Sequence, residues 1–390
     1  MAALAGMGAA VGLVVTYRRQ RTQEQYHVLD QQKAFTQRFE SASGQLGHDK
    51  AAVRLAGVHA MAQLAHEWSS QRQTCVDVLC AYVRMPFFPS LEASGENDVR
   101  LTIVRLLCDR LRDERSEWHG LTIDFRGAEL SGVVFESVKF IRGDFNFQDA
   151  TFTGGKSNFS NTEFRGARVD FSRVKFVNGE VDFSNAIFAG GNVQFVGAKF
   201  TEDEGNIGVV IFDKAAFDGA IVDFSQALFD SEVRFQGVDI LGGNLRFVGT
   251  EFNERNVNFD LAMFNGGQVN FNNAVFLGIV MFNDAKFNLG EVSFDAAEFD
   301  RGDIEFIRAE FNGGNVSFRD AKFRGSTVNF AAIFADGHVT FLGANFIDGV
   351  VDFSRAQRSG LEELDIDQRW AKPGVLKGLN GVEPSGEKVF

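Results

Sequence analysis

The densest acidic spot between Ile123 and Phe353 is a run of three residues, Glu202, Asp203 and Glu204, between Thr201 and Gly205. Three adjacent carboxylates favour a basic partner, both through long-range attraction and through charge-assisted hydrogen bonds. The same residues also allow a second interpretation, a solvated corner that binds nothing. We predict the run as a candidate partner-binding site and leave the alternative open.

Residue types that serve catalysis or metal binding form no recognisable pattern. Cys75 and Cys80 are five positions apart without a second cysteine pair that would complete a zinc site, and Cys108 stands alone. Metal-ligand spacing is also missing among the histidines that precede residue 120: His27, His48, His59, His66 and His119. Phosphate-loop, G-x-S-x-G and H-E-x-x-H motifs do not occur. We therefore expect no catalytic residue, no metal site and no cofactor, and we expect buried free thiols in a reducing compartment.

The N-terminal segment, 1–17, has the composition of a membrane anchor. Residues 2–17 carry no charge, and Arg18, Arg19 and Arg21 follow at once. The segment is at the short limit for a membrane-spanning helix, and the charge distribution differs from that of a secretory signal. The positive-inside rule predicts a single-pass helix with its N-terminus outside and everything beyond Arg18 in the cytoplasm. A buried Ala/Gly-rich helix of a soluble domain is the alternative.

Residues 18–120 follow a helical pattern. After a polar stretch, apolar side chains recur at three- and four-residue steps from Val53 to Ala65, from Val76 to Val83, and from Leu101 to Leu111. The last of these helices is expected to continue through Trp118. We predict a stalk and a small bundle of about four helices, which connects the anchor to the following domain and caps it.

From Ile123 to Phe353 the sequence is one long repeat. The protein has 43 Phe but only three Tyr and three Trp, and no proline lies between Pro89 and Pro373. Blocks of five begin with IDFRG, AELSG, VVFES and VKFIR, and the third residue of each is large and apolar. Four such blocks would form one coil of a parallel solenoid, with the first and third side chains of each block inside.

After Phe140 the rhythm changes to a 12-residue double block, in which two blocks are followed by a two-residue insertion. Blocks that open a pair begin with Val, as at Val181, whereas blocks that close one begin with Ala, as at Ala186. We therefore predict about 24 residues per turn, insertions at every second corner, and a core whose two pairs of opposite sides differ in width. The count of block centres predicts about ten coils.

The blocks resemble those of the pentapeptide-repeat family, whose consensus is A-(D/N)-L-x-x. Residues 128–132 (AELSG) and 181–185 (VDFSN) come closest, and the resemblance extends over more than half of the chain. It implies a mainly β fold, a right-handed quadrilateral β-helix, here with Phe in place of Leu. The order of anchor, arginines, helical stretch and repeat also resembles membrane-anchored pentapeptide-repeat proteins of actinobacteria.

These features predict four segments: an anchor (1–17), a helical stalk and capping domain (18–120), a β-solenoid (121–355), and a C-terminal cap with a flexible tail (356–390). The net charge of −13 resides in the repeat half, because residues 18–120 are close to neutral. An acidic surface repels nucleic acid, so we expect a protein partner, and a homo-oligomer is left open. The predicted function is a non-enzymatic, membrane-anchored interaction scaffold. The resemblance implies an alternative, a DNA mimic that binds DNA gyrase and modulates quinolone sensitivity.

Overall fold

The computed structural model describes residues 2–86, 95–177, 179–201, 208–253, 255–358, 364–365 and 376–377. They form two compact units. The first comprises Met1–Leu79 with Glu92–Thr102, and the second comprises Cys80–Leu91 with Ile103–Phe390.

Four α-helices precede the repeat, as the apolar spacing predicts. They are α1 (Ala2–Leu46), α2 (Ala51–Glu67), α3 (Arg72–Arg84) and α4 (Glu96–Arg112), with a 3₁₀ turn at Ser69–Gln71 before α3. In the first unit α1 packs on α2 through buried Ala42 and Leu46 on one side and Val58, Met61 and Leu64 on the other. Over the residues described, no helix combines the length and the apolar character that a membrane crossing needs.

The second unit is a right-handed parallel β-solenoid whose described residues form eleven strands in one sheet and ten in each of the other three, in agreement with the predicted count of about ten coils. It has four faces, which we number in the order in which the chain passes them. The strands of face 1 are Thr122–Asp124, Asp144–Asn146, Arg168–Asp170, Asn192–Gln194, Ile221–Asp223, Asn244–Arg246, Gln268–Asn270, Glu291–Ser293, Asn315–Ser317, His338–Thr340 and Leu364–Asp365. Those of face 2 are Glu129–Ser131, Thr151–Thr153, Lys175–Val177, Lys199–Thr201, Leu228–Phe229, Glu251–Phe252, Val275–Phe276, Glu298–Asp300, Lys322–Arg324 and Asn345–Ile347.

Faces 3 and 4 complete each coil. Face 3 consists of Ser157–Asn158, Glu180–Asp182, Val209–Ile211, Glu232–Arg234, Val257–Asn258, Val280–Met281, Ile304–Glu305, Thr327–Asn329, Val350–Asp352 and Leu376–Lys377. Face 4 consists of Lys139–Ile141, Glu163–Arg165, Ile187–Ala189, Ala216–Asp218, Asp239–Ile240, Met263–Phe264, Lys286–Phe287, Glu310–Phe311, Ile333–Phe334 and Gln357–Arg358. Strands after residue 355 show that the solenoid extends beyond its predicted end.

Coil length follows the predicted rhythm. The sequence separation between register partners on face 1, such as Val169 and Val193, agrees with the predicted length of one turn to within two residues. The exception is the longer coil between Val193 and Val222, which contains the acidic run. In most coils the two extra residues lie at the corners between faces 2 and 3 and between faces 4 and 1. The prediction of insertions at every second corner is confirmed.

Phenylalanine rings fill the core in four stacks that run along the solenoid axis. On face 3 ten rings from Phe135 to Phe353 stack without interruption, with centroids 4.7 to 5.1 Å apart. Across the core, rings of faces 1 and 3 meet edge to face, as Phe183 and Phe195 do at 5.7 Å. Val precedes the ring on these two faces and Ala on faces 2 and 4, so the two pairs of faces pack differently, as predicted.

The final turns of α4 lie against the first coil. Leu107, Cys108 and Leu111 are buried, and together with core residues such as Phe125 and Phe140 they line a space of only about 10 Å³. Arg112 Nε also donates a hydrogen bond to the Glu136 carbonyl at 2.9 Å. The predicted capping of the first coil by the helical segment is therefore seen at α4.

The corner after face 1 requires a left-handed residue. The second residue after each core Phe has φ near +60°, and Gly127, Gly197 and Gly249 serve this position in three coils. Ala296 occupies it with φ of 56°, although a Cβ makes this region unfavourable by about 1–2 kcal/mol.

Ala296→Gly is expected to raise the free energy of unfolding by up to about 1 kcal/mol, because glycine relieves the left-handed strain at a smaller entropic loss. Thermal unfolding measures the change. Ala297→Gly is the matched control: Ala297 is fully buried and its φ is not positive, so this variant should be less stable. Equal melting temperatures for the two variants would contradict the prediction.

Candidate interaction surface

The predicted site Glu202, Asp203 and Glu204 lies outside the residues that the structure describes. In the sequence it lies between two described strands, Lys199–Thr201 on face 2 and Val209–Ile211 on face 3. Phe200 and Val210 are ten positions apart, whereas Phe176 and Val181, one coil earlier at the same corner, are five apart. The sequence that connects face 2 to face 3 is therefore five residues longer in this coil, and it contains the acidic run.

Two further carboxylates lie in register with Val209, the first residue of the strand that follows this segment in the sequence. Val209 pairs with Glu180 in the preceding coil and with Glu232 in the following coil. Glu180 forms an ion pair with Lys156 at 2.8 Å, and both glutamates are partly exposed. We call Glu180, residues 202–204 and Glu232 the acidic corner. Sequence reasoning missed Glu180 and Glu232, and only the coil length could have indicated them.

The predicted topology residues Arg18, Arg19 and Arg21 are exposed on α1. The helix is continuous through them to Leu46. Tyr17 and Tyr26, close to the arginines, are each 64% exposed.

Many carboxylates of the solenoid are neutralised by a basic side chain one coil away. Arg173 forms two hydrogen bonds of 2.8 Å with Asp149, and Lys322 Nζ lies 2.6 Å from Glu298 Oε1. Hydrogen bonds from these cations lower the pKa of both carboxyl groups. The negative charge is therefore interrupted along the faces rather than continuous.

Asp260 differs from these carboxylates. Burial raises its pKa, and the charges of Glu305 and Asp284 add to the effect, although the Asn283 amide donates a hydrogen bond of 2.8 Å to Asp260 Oδ1. Asn283 also donates to Glu305 Oε2 at 3.0 Å, so it links two like charges.

Asp260→Asn is expected to stabilise the solenoid at neutral pH. The folded-state pKa of Asp260 is raised, so its ionised form destabilises the fold above that pKa, and the penalty disappears as the pH falls through it. Asparagine keeps the acceptor for Asn283 and removes the charge. Melting temperatures at neutral and mildly acidic pH measure the effect, which should shrink in acid.

Asp284→Asn provides the opposite control. A hydrogen bond from Arg308 lowers the pKa of Asp284, so the ionised form stabilises the fold, and that contribution is lost as the pH falls through the lowered pKa. This variant should be less stable at neutral pH. A gain for both variants, or for neither, would contradict the assignment.

The three cysteines are buried thiols outside any disulfide, as predicted. Burial raises the pKa of Cys75 to about 11 and that of Cys108 to about 12. Both are therefore protonated thiols at neutral pH. Within the described part of the chain, no group of three His, Cys, Asp or Glu side chains could hold a metal ion.

Face 4 has an apolar surface that sequence reasoning did not identify. Ile187, Leu241, Met263 and Leu289 are 37%, 49%, 38% and 63% exposed and lie in the third, fifth, sixth and seventh coils. Each is an isolated outward position in its own block, so no run of apolar residues marks the surface in the sequence.

No protein-family model matches this chain, and no curated protein matches it. The parallel coils with a stacked Phe every fifth residue or so are consistent with a pentapeptide-repeat fold.

Proposed function

We propose that the protein is a non-enzymatic interaction scaffold that binds a basic protein partner at the acidic corner. The observation that carries the proposal is that Glu180 and Glu232 both pair in register with Val209, the first residue of the strand that follows Glu202, Asp203 and Glu204 in the sequence. Since stacked Phe rings occupy the interior of the solenoid, a partner binds on its outer surface. Neighbouring coils are about 4.8 Å apart, so the two glutamates span about 10 Å along the axis.

A charge-neutralised variant tests the site. Glu180, Glu202, Asp203, Glu204 and Glu232 are changed to their amides, and a lysine-rich peptide is titrated by fluorescence anisotropy at low and moderate salt. We expect tenfold or more weaker binding at low salt, because closely spaced carboxylates act together.

The control variant loses the same number of charges elsewhere on the solenoid: Glu129, Glu136, Glu251, Glu291 and Asp320. If both variants bind the peptide equally, the attraction comes from net charge and the acidic corner is not a site. Affinity capture with the wild-type chain and both variants then identifies a native partner, which should be lost only with the first variant.

The proposal includes attachment to a bacterial inner membrane through the N-terminal segment, with the solenoid in the cytoplasm. The uncharged residues 2–17 and the exposed Arg18, Arg19 and Arg21 support it. Membrane fractionation with and without residues 1–21 tests it. Full-length protein found wholly in the soluble fraction would refute the anchor and would leave the acidic corner untouched.

The alternative, a gyrase-binding DNA mimic, needs regularly spaced negative charge along the rod. Inter-coil pairs such as Asp149–Arg173 and Asp284–Arg308 interrupt that charge, which favours the scaffold. A DNA supercoiling assay with purified gyrase separates the two. Inhibition or quinolone protection at micromolar protein would favour the mimic.

A further inference from the structure

The outer surface of face 4 carries large apolar side chains near its middle and charged side chains of opposite sign near its two ends. It consists of the outward side chains of the face 4 strands and of the corner that leads from each strand to face 1. Around the fifth coil three large apolar side chains are exposed, Leu241 at the centre and Met263 and Leu289 in the next two coils, together with the charged Asp218 and Lys286.

The charges at the two ends are opposite at equivalent positions of the repeat. Arg142 in the first coil and Asp336 in the ninth are each the second residue after the core Phe, and both are exposed. Arg142 and Asp336 are therefore complementary when the coil order of one copy is reversed against that of another.

We propose that two copies of the chain associate through face 4 in an antiparallel arrangement, with a two-fold axis at Leu241. The interface about such an axis is isologous, and each position of the repeat lies opposite the same repeat position of the second copy. The first coil then meets the ninth of the second copy, so Arg142 pairs with Asp336 at both ends of the interface. Leu241 meets its own equivalent.

Shape as well as charge fits this arrangement. The third coil meets the seventh, which sets Leu289 opposite Gly190, a position without a side chain. The fourth coil meets the sixth, which sets Ala216 opposite Met263. Leu289 and Met263 thus each face a small residue of the second copy.

The area is sufficient for a stable dimer. Eight coil spacings of about 4.8 Å and a width of about five residues at 3.3 Å give about 600 Å² per copy. The total of about 1,200 Å² lies at the lower limit of specific interfaces.

Like charges near the axis weaken the association. Asp239 lies beside Leu241 in the fifth coil and approaches its own equivalent, although Asn265 donates a hydrogen bond of 2.8 Å to it. Glu163 and Glu310 also meet, but Lys139 and Lys286 neutralise them at 3.2 and 3.3 Å. Asp239→Asn should therefore tighten the dimer several-fold, and a weaker dimer would count against the arrangement.

Disulfide trapping of the full-length chain tests the axis. A thiol introduced by Leu241→Cys faces an identical thiol across the axis, and copper phenanthroline oxidises the two to a disulfide. Leu342→Cys is the control, because Leu342 is exposed to 38% at the corner between faces 1 and 2. Rapid crosslinking of the first variant alone is expected. Crosslinking of both variants at one rate, or of neither, would overturn the proposal.

A charge reversal tests the antiparallel order. Arg142→Asp and Asp336→Arg should each weaken dimerisation about tenfold in analytical ultracentrifugation, and the double variant should restore it. A double variant no tighter than the single ones would refute the pairing. Face 4 lies opposite face 2 and does not include the acidic corner, so these results are independent of the proposed function.

Discussion

Phe259→Ala is expected to lower the free energy of unfolding of the solenoid by about 3–5 kcal/mol. Phe259 is fully buried, its ring stacks on Phe235 at 4.7 Å and on Phe282 at 5.1 Å, and it meets Phe271 edge to face at 5.8 Å. Parallel strands hold these neighbours at the spacing of the coils. They cannot move inward to fill the space of a missing ring, so the cavity remains.

Amide hydrogen exchange is the suitable measurement, because a solenoid unfolds as a series of linked coils and a single transition does not describe it. Protection of backbone amides should fall most in the strands adjacent to residue 259 and least at the two ends of the solenoid. Phe259→Leu is the matched control. Leu130 and Ile240 already occupy equivalent core positions, so this variant should lose much less protection. Equal protection in the alanine and leucine variants would contradict the cavity argument.

Glu96→Ala is expected to destabilise the first unit by about 3–5 kcal/mol, because it leaves two buried arginines without their shared carboxylate. Glu96 lies 3.0 Å from both Arg54 and Arg100, whose side chains are 12% and 5% exposed. Arg54 also donates hydrogen bonds to the carbonyls of His48 and Asp49, at 2.9 and 2.7 Å. Loss of the carboxylate therefore affects the connection between α1 and α2 as well as α4.

Thermal unfolding followed by circular dichroism, together with hydrogen exchange in α1 and α2, measures this loss. Glu67→Ala removes a comparable ion pair on the surface, where Arg38 and Glu67 are 2.6 Å apart and about half and one third exposed. Solvent and salt screen that pair, so its loss should be much smaller. Similar melting temperatures for the two variants would show that Glu96 is not a structural centre.

The solenoid could be predicted from the sequence because the sequence itself repeats with the period of the fold. A core position recurs at every fifth position or so. The first residue of a block, Val as at Val181 or Ala as at Ala186, identifies the pair of opposite faces to which the block belongs. Which side chains become neighbours on the outer surface, by contrast, depends on the exact length of every coil. A block shortened at Asp230–Glu232 and another at Leu277–Ile279 shift the later residues by one position each.

For the same reason, the candidate sites were only partly predictable. The acidic run 202–204 is visible as adjacent letters, but Glu180 and Glu232 belong to other blocks and join it only through the register of face 3. Leu241, Met263 and Leu289 come from three coils and share one face only after their strands are aligned. The helices were found by their apolar spacing, whereas α4 ends at Arg112, before the predicted Trp118.

The cap formed by α4 on the first coil has a consequence for the order in which the protein is made. The ribosome releases Leu107, Cys108 and Leu111 before the phenylalanines that they cover. The first coil can therefore pack against an α4 that has already been synthesised. Each later coil needs only the one synthesised just before it, and such short-range contacts allow rapid growth. The chain can therefore fold in the direction of its own synthesis, and exposed apolar core is limited to the newest turn.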